Sequence, residues 1–178
     1  MLMDRRALIL DAARRLTLER GVVPSLNETA ATAGVSKGGL VHHFPSRAAL
    51  VRGLALAALE EVDAAMVAAA AERRAAETWL RISVPTGDDI ALFRALAIAH
   101  RAVETPGDDV AAASREATSR WEALIQDETG DATRARVIRL VGDGLAANVL
   151  AGIEPAPTQA ELDRFIDVIV HFPRRTPR

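Results

Sequence analysis

The 178-residue chain is long enough to bury a hydrophobic core, and its length falls between one large domain and two small ones. Hydrophobic residues make up 49% and charged residues 26% of it, a globular balance, and no apolar run approaches the ~18 residues of a membrane span. The absence of cysteine excludes disulfides, thiolate metal sites and thiol nucleophiles. The N-terminus lacks the pattern of a secretory signal, so we expect a cytoplasmic protein that does not contact membranes.

Charge is distributed unevenly along the chain. Residues 1–52 contain eight lysine and arginine residues against four acidic ones, so this segment carries +4 and the remainder −6 of the net −2. A basic segment can neutralise phosphates, whereas an acidic one cannot. If the protein binds nucleic acid, we expect the contact at the N-terminal end, although an excess of this size is also within ordinary scatter.

The spacing of apolar residues predicts an all-α chain, because no stretch alternates β-branched and polar residues as a strand does. Apolar residues recur at helical spacing from Ile9, and Gly21 stands where a left-handed C-terminal cap belongs. The first helix is therefore predicted at roughly residues 4–20. Ser25 and Glu28 have the spacing of a capping box, which begins a short second helix.

Further helices follow to the end of the chain. Ser36 caps a third short helix that is predicted to end near His43, and Ser46 caps a long fourth helix. Proline- and glycine-containing breaks then separate five more helices, predicted at roughly 75–84, 88–104, 107–128, 131–151 and 158–171.

Residues 29–40 have the layout of a helix-turn-helix. Small alanines allow the second helix to cross close to its partner, Gly34 supplies the turn, and Val35 fills the angle between the helices. In such a motif the helix that follows the turn lies in the major groove of DNA. The sequence therefore predicts a DNA-contacting helix that begins at about Lys37.

Two adjacent glycines, Gly38 and Gly39, lie within that helix although glycine is a poor helix former. Their presence suggests that another molecule approaches the backbone closely, and a DNA strand is a plausible candidate. The alternative is an ordinary loop followed by a solvated turn.

The run from Gly34 to Leu50 (GVSKGGLVHHFPSRAAL) closely resembles the signature of the TetR family of bacterial regulators, and the match continues upstream through residues 9–13 and Gly21. The resemblance implies a three-helix DNA-binding domain and a helical core domain that dimerises through its last helices and binds an inducing ligand. Accordingly, residues 1–46 are predicted to form the DNA-binding domain. Residues 47–178 are predicted to form a helical bundle for ligand binding and dimerisation, with about nine helices in the whole chain.

The resemblance also places residues at the DNA surface. Six positions fall where the family touches DNA or orients its reading helix, and their neighbours on the same helix complete the predicted set: Ser25, Ser36, Lys37, Gly38, Gly39, Val41, His42, His43 and Arg47. Val41 stands where the family usually has a tyrosine that reaches a phosphate. One backbone contact is therefore expected to be missing, and an apolar contact, for example to a thymine methyl group, is expected instead.

Two further departures from the family pattern concern packing. Thr17 replaces a usual phenylalanine, and Thr29 replaces a usual isoleucine or valine, so the DNA-binding domain is expected to pack less tightly.

His42 and His43 suggest a metal site, but adjacent helical residues point about 100° apart and no carboxylate lies close in sequence. No metal site and no cofactor are predicted.

The helix at 131–151 is apolar on two faces, which predicts two packing partners. One stripe consists of Ile138, Val141, Leu145 and Val149, and the other of Val137, Leu140, Gly144, Ala147 and Ala151. Gly142 and Gly144 would permit close contact between backbones of two subunits. The predicted homodimer interface comprises Val137, Leu140, Val141, Gly144, Ala147, Leu162, Phe165, Ile166 and Ile169. The alternative is a helix central to one monomeric core.

Candidate effector contacts are the large or polar residues on helices that surround the core in the family: Trp79, Phe93, His100, Trp121 and Asn148. A buried polar group beside aromatic rings orients a small molecule, so a largely apolar ligand with one polar group is expected. Arg101 would favour an anion instead. Each aromatic residue is alternatively plain core packing.

The sequence thus predicts a ligand-responsive transcriptional repressor. A homodimer would bind a palindromic double-stranded operator, and a small-molecule effector would release it. An enzyme is not expected, because the four histidines lie far apart and the carboxylates are scattered. A helical ligand-binding dimer without specific DNA binding is the alternative, and only Val41 supports it.

Overall fold

The structure, a computed structural model, describes the backbone of residues 4–101 and 108–170 and the side chains of residues 4–96 and 109–170. Within these ranges the chain forms nine α-helices and no strand, which confirms the predicted all-α fold. The helices are α1 (Arg5–Arg20), α2 (Leu26–Ala33), α3 (Lys37–His43), α4 (Arg47–Ala71), α5 (Ala75–Ile82), α6 (Gly87–Arg101), α7 (Asp108–Thr129), α8 (Ala132–Ala151) and α9 (Gln159–Ile169). The predicted ends at 104 and 171 lie outside the described residues.

Contacts divide the chain into two compact units. The first unit consists of Met1–Glu61 and Thr86–Arg115, and the second of Val62–Pro85 and Glu116–Arg178. The division passes through α4 and α7, so α6 groups with the N-terminal helices. It differs from the functional division that we place after residue 46, which stays a prediction.

The core of the first unit surrounds α1, which contacts α2, α3 and α6. Ile9, Leu40 and Leu50 are fully buried there, and Phe44, at the end of α3, joins the same cluster. On α4, a Cβ added at Gly53 would lie 2.5 Å from Cε1 of Phe44, so the missing side chain lets α4 pack closely. Leu40 in the middle of α3 and Phe44 at its C-terminal end therefore both anchor the helix to this core.

Two threonines lie in the core of the first unit where apolar residues are usual for the resembled family. Thr17 and Thr29 are both 0% exposed. Each hydroxyl donates to a carbonyl one turn earlier, Thr17 to Ala13 at 2.7 Å and Thr29 to Ser25 at 2.8 Å. The substitutions therefore bring no unpaired polar group into the core.

Two tryptophans form the centre of the second unit. Trp79 on α5 and Trp121 on α7 are 7% and 5% exposed, and their ring centroids are 5.3 Å apart. Nε1 of Trp79 donates to the carbonyl of Arg139 at 3.0 Å, and Nε1 of Trp121 donates to the Asp63 carboxylate at 3.0 Å. Both rings therefore pack as core residues with their polar atoms already paired.

The glycines of α8 lie in different surroundings. A Cβ at Gly142 would come within 2.2 Å of Nε1 of Trp79 and 2.5 Å of Oγ of Ser83, whereas one at Gly144 meets nothing within 4 Å. Gly142 thus permits close packing of α8 on α5 within one subunit. Its predicted role in contact between subunits is wrong, because the space beside it is occupied by the subunit's own tryptophan.

Candidate nucleic-acid interface

A capped turn joins α2 to α3. The Ser25 hydroxyl accepts from the N–H of Glu28 at 3.3 Å, while the Glu28 carboxylate accepts from the N–H of Ser25 at 3.0 Å. Gly34 adopts the left-handed conformation at φ 67°, which favours glycine. After it, the N–H of Val35 donates to the carbonyl of Ala30 at 3.1 Å, and Val35 packs against the core. The predicted capping box and turn are both present.

Glu28 is held in its ionised form by this cap. The Ser25 hydroxyl donates to its carboxylate at 2.7 Å, the Ser25 backbone adds a second hydrogen bond, and Arg20 pairs with it at 2.6 Å. Together these contacts lower the pKa of Glu28 from 4.5 to about 2. The carboxylate is exposed, so solvent screens the ion pair, and the hydrogen bonds from Ser25 are the main cause of the lowered pKa.

We expect Glu28→Gln to destabilise the protein in a pH-dependent manner. Because the folded-state pKa lies below the unfolded one, the carboxylate stabilises the fold fully above about pH 4.5, and this stabilisation is lost as the pH falls towards 2. Urea unfolding of both proteins should show a difference in midpoint that is largest near neutral pH and shrinks on acidification. A difference that is independent of pH would contradict this cause. Ser25→Ala should reduce the pH dependence, because the Ser25 hydroxyl makes the largest single contribution to the lowered pKa of Glu28.

Helix α3 buries one side and presents the other to solvent. Leu40 is 0% exposed, whereas Lys37, Gly38, Val41 and His42 are exposed, with Val41 at 37%. Their spacing places these four residues together on one side of the helix. We call them the exposed face of α3.

The two glycines of α3 differ in what surrounds them. A Cβ at Gly39 would lie 3.2 Å from Oγ of Ser36, which caps the helix by accepting from the Gly39 N–H at 3.1 Å. A Cβ at Gly38 would meet nothing within 4 Å. Packing within the described chain therefore does not require glycine at position 38. A molecule outside the chain that comes close to the backbone at Gly38 would explain the glycine, and the DNA strand predicted there is such a molecule.

Other predicted DNA residues support the motif. The Arg47 guanidinium donates to the carbonyl of Val23 at 2.7 Å and so ties the start of α4 to the segment before α2. The rings of His42 and His43 meet edge to face with centroids 5.2 Å apart, and His43 is half-buried. Ser25 and Ser36 act as helix caps. Direct contact of these residues with DNA stays a prediction.

The two apolar stripes of α8 differ in exposure. Ile138 and Val149 are buried in the second unit, and Val141 is half-buried. In the other stripe, Val137 and Leu140 are 49% and 50% exposed. The small residues that continue this stripe are also exposed: Gly144, Ala147 and Ala151. We call Val137, Leu140, Gly144 and Ala147 the outer stripe of α8.

Helix α9 separates its apolar residues in the same way. Leu162 and Ile166 are 5% and 3% exposed, so they pack within the subunit, and their place in a dimer interface stays a prediction. Phe165 is 40% exposed and Ile169 is half-buried. Val168, which we did not predict, is 64% exposed. Its position three residues after Phe165 was the signal that could have identified it.

One side chain connects the exposed parts of these two helices. Arg134, in the first turn of α8, donates to the carbonyls of Ile169 and Val170 at the end of α9. Val137 and Val168 each lie within one turn of this link. This side chain therefore joins the start of α8 to the end of α9.

The structure brings together only part of the predicted effector site. Trp79 and Trp121 are in contact, but both are buried with their N–H groups paired, so they offer no polar atom to a ligand. Phe93 belongs to the first unit and is 43% exposed, and Asn148 on α8 is half-buried. The side chains of His100 and Arg101 lie outside the described residues.

Among the described residues, no group of three or more histidine, aspartate or glutamate side chains is placed to hold a metal ion. No helix in the described part of the chain is both long enough and apolar enough to cross a bilayer.

Comparison with known proteins places this geometry in a class. The N-terminal part matches the family of bacterial regulatory proteins named tetR over residues 9–54, and residues 73–171 match the tetracyclin repressor-like C-terminal domain. The chain is thus a helix-turn-helix regulator with a helical C-terminal domain. It belongs to the TetR family of bacterial regulatory proteins, as the sequence predicted.

Solved structures share the fold. A TetR-family member from Streptomyces coelicolor A3 is 23% identical, with a TM-score of 0.66 over 93% of this chain and 98% of the other. A TetR transcriptional regulator from Rhodococcus sp. RHA1 is 20% identical, with a TM-score of 0.57 over 94% and 95% of the two chains. No curated protein matches the sequence.

Proposed function

We propose that this protein is a ligand-responsive repressor that binds a palindromic operator as a homodimer and is released by a small-molecule effector. The exposed face of α3 carries the proposal. It combines a lysine, an open glycine and a valine on the helix that follows the turn of the motif. In helix-turn-helix proteins this helix contacts base edges, while residues at its ends contact phosphates.

The charge around α3 favours a polyanion as its partner. No aspartate or glutamate occurs between Glu28 and Glu60, a stretch that contains Lys37, Arg47 and Arg52. Glu28 itself is paired with Arg20. A surface with this excess of positive charge attracts phosphate groups. An acidic peptide or a small anion could bind such a surface without a helix-turn-helix, whereas DNA uses both the charge and the motif.

The outer stripe of α8 supports a two-fold dimer. Half-exposed Val137 and Leu140, together with Phe165 and Val168 on α9, leave large apolar side chains in water in the single subunit. A C2 interface covers the same patch on both subunits, so one stripe supplies both sides. The resulting two-fold symmetry presents one α3 helix to each half of a palindrome.

The effector part rests on family membership and on Asn148, the half-buried polar residue on α8. An effector would act by population shift, stabilising a conformer whose two α3 helices no longer match grooves about 34 Å apart. Since both tryptophans already use their N–H groups, we expect the polar contact to come from residues other than these rings.

Salt-dependent binding to selected operator DNA tests the DNA function. We expect a steep negative dependence of affinity on salt, and Lys37→Ala should reduce the salt slope by about one and weaken binding to all sequences. Arg94→Ala removes the same charge from an exposed position on α6 and serves as the matched control. Arg47→Ala is less diagnostic, because Arg47 also holds Val23.

A genome-wide selection that returns no preferred sequence would contradict the repressor function and favour the helical ligand-binding dimer. If an operator is found, compounds that raise the melting temperature are tested for release of labelled operator. Release supports induction, whereas tighter operator binding in the presence of the compound would identify a co-repressor.

A further inference from the structure

The exposed face of α3 lacks the side chains that usually read bases by paired hydrogen bonds. Residues 34–46 contain no arginine, asparagine, glutamine, aspartate or glutamate. Arginine and asparagine provide the bidentate contacts to guanine and adenine, and none is available on this helix. The polar atoms on the exposed face belong to Lys37 at its beginning and His42 near its end.

The middle of the face is apolar and open. Val41 is 37% exposed although the adjacent Leu40 is fully buried, so Val41 lies on the solvent side of α3 and outside the core. Gly38 lies one turn earlier on the same side, and a Cβ there would meet no atom within 4 Å. The space around the α-carbon of Gly38, one turn before Val41, is therefore open.

The edges of base pairs in the major groove offer one apolar group, the C5-methyl group of thymine. An exposed valine in the centre of a helix that lies in this groove can contact a thymine methyl group. Because residue 38 is glycine, no side chain at that position keeps the helix away from the bases. Building on the DNA-binding function proposed above, we propose that Val41 reads a thymine methyl group in each half of the operator. Val41 is then a specificity-determining residue.

The test replaces thymine by deoxyuridine, one position at a time, in an operator obtained by selection. This change removes only the methyl group and keeps base pairing. We expect one position in each half-site at which deoxyuridine weakens binding by about three- to fivefold, since one buried methyl group is lost. In Val41→Ala the affinity for the thymine operator should fall, and the difference between thymine and deoxyuridine at that position should disappear.

Val67→Ala provides the control, because Val67 is also an exposed valine, 55% exposed, but lies on α4 and not on α3. It should retain the full effect of deoxyuridine. Tight operator binding without sensitivity to deoxyuridine at any position would overturn the inference and leave the repressor function intact. A uniform loss of affinity in Val41→Ala with the same sensitivity as the wild type would also overturn it. Absence of any selected operator would instead overturn the proposed function, and this inference with it.

Discussion

Leu140→Asp should convert the proposed dimer to a monomer and weaken binding to the proposed operator by about a hundredfold or more. Leu140 is 50% exposed in the single subunit, so the substitution removes little internal packing. In a two-fold interface, however, each introduced carboxylate would be buried without a partner, and the two copies would repel each other. The loss of the second half-site then removes the gain from bivalent binding.

Sedimentation velocity and operator binding, measured on the same samples, test this expectation. Val67→Asp introduces the same chemistry at a valine that is 55% exposed on α4, outside the outer stripe of α8. It should remain dimeric and bind the operator normally. A Leu140→Asp protein that is still dimeric would show that the subunits associate through another surface.

The arrangement of large and small residues in the outer stripe also predicts how the subunits meet. A two-fold axis perpendicular to α8 makes the two copies antiparallel. An axis that crosses the helix between Leu140 and Gly144 would place the large residues of one copy against Gly144 and Ala147 of the other. A single large residue at Gly144 should therefore also weaken the dimer.

Gly38→Ala should separate stability from function. Because a Cβ at position 38 meets nothing within 4 Å, the folded protein should be unchanged or stabilised by up to about 1 kcal/mol, as glycine is a poor helix former. Operator affinity should fall by about tenfold, since the added methyl group separates the backbone from the groove edge and disturbs the neighbouring contacts of α3.

Gly53→Ala is the matched comparison in the same unit. Its Cβ would lie 2.5 Å from Phe44 and 3.2 Å from Leu10, so overpacking should destabilise the protein by about 1–3 kcal/mol. Urea unfolding together with operator titration distinguishes the two. A Gly38→Ala protein that is more stable and binds as tightly as the wild type would show that DNA does not approach this part of the backbone.

The helices were predictable because their ends are determined locally. Caps such as Ser25 with Glu28, and left-handed glycines such as Gly21 and Gly34, act within a few residues of the sequence. The helix-turn-helix was predictable for the same reason, and its signature is long enough to identify the family.

Which apolar residue faces which neighbour was less predictable. Ile166 and Phe165 are adjacent and both apolar, yet one packs inside the subunit and the other is exposed. Gly142 was predicted to permit close packing between subunits, but the sequence could not show that Trp79 of the same subunit occupies the space beside it. Such outcomes depend on contacts between helices that are distant in sequence, which periodicity alone does not determine.

The exposed face of α3 carries few side chains, which limits how many base pairs one subunit of the proposed dimer would distinguish. Each discriminated base pair is worth about 1–3 kcal/mol, and a genome offers roughly 10⁶ or more competing sites. In the proposed complex the side chains on this face are Lys37, Val41 and His42, so a single subunit would distinguish too few base pairs to select one site in a genome. Two subunits bound together would multiply their selectivities. A monomeric variant should therefore bind chromosomal DNA without preference for the operator.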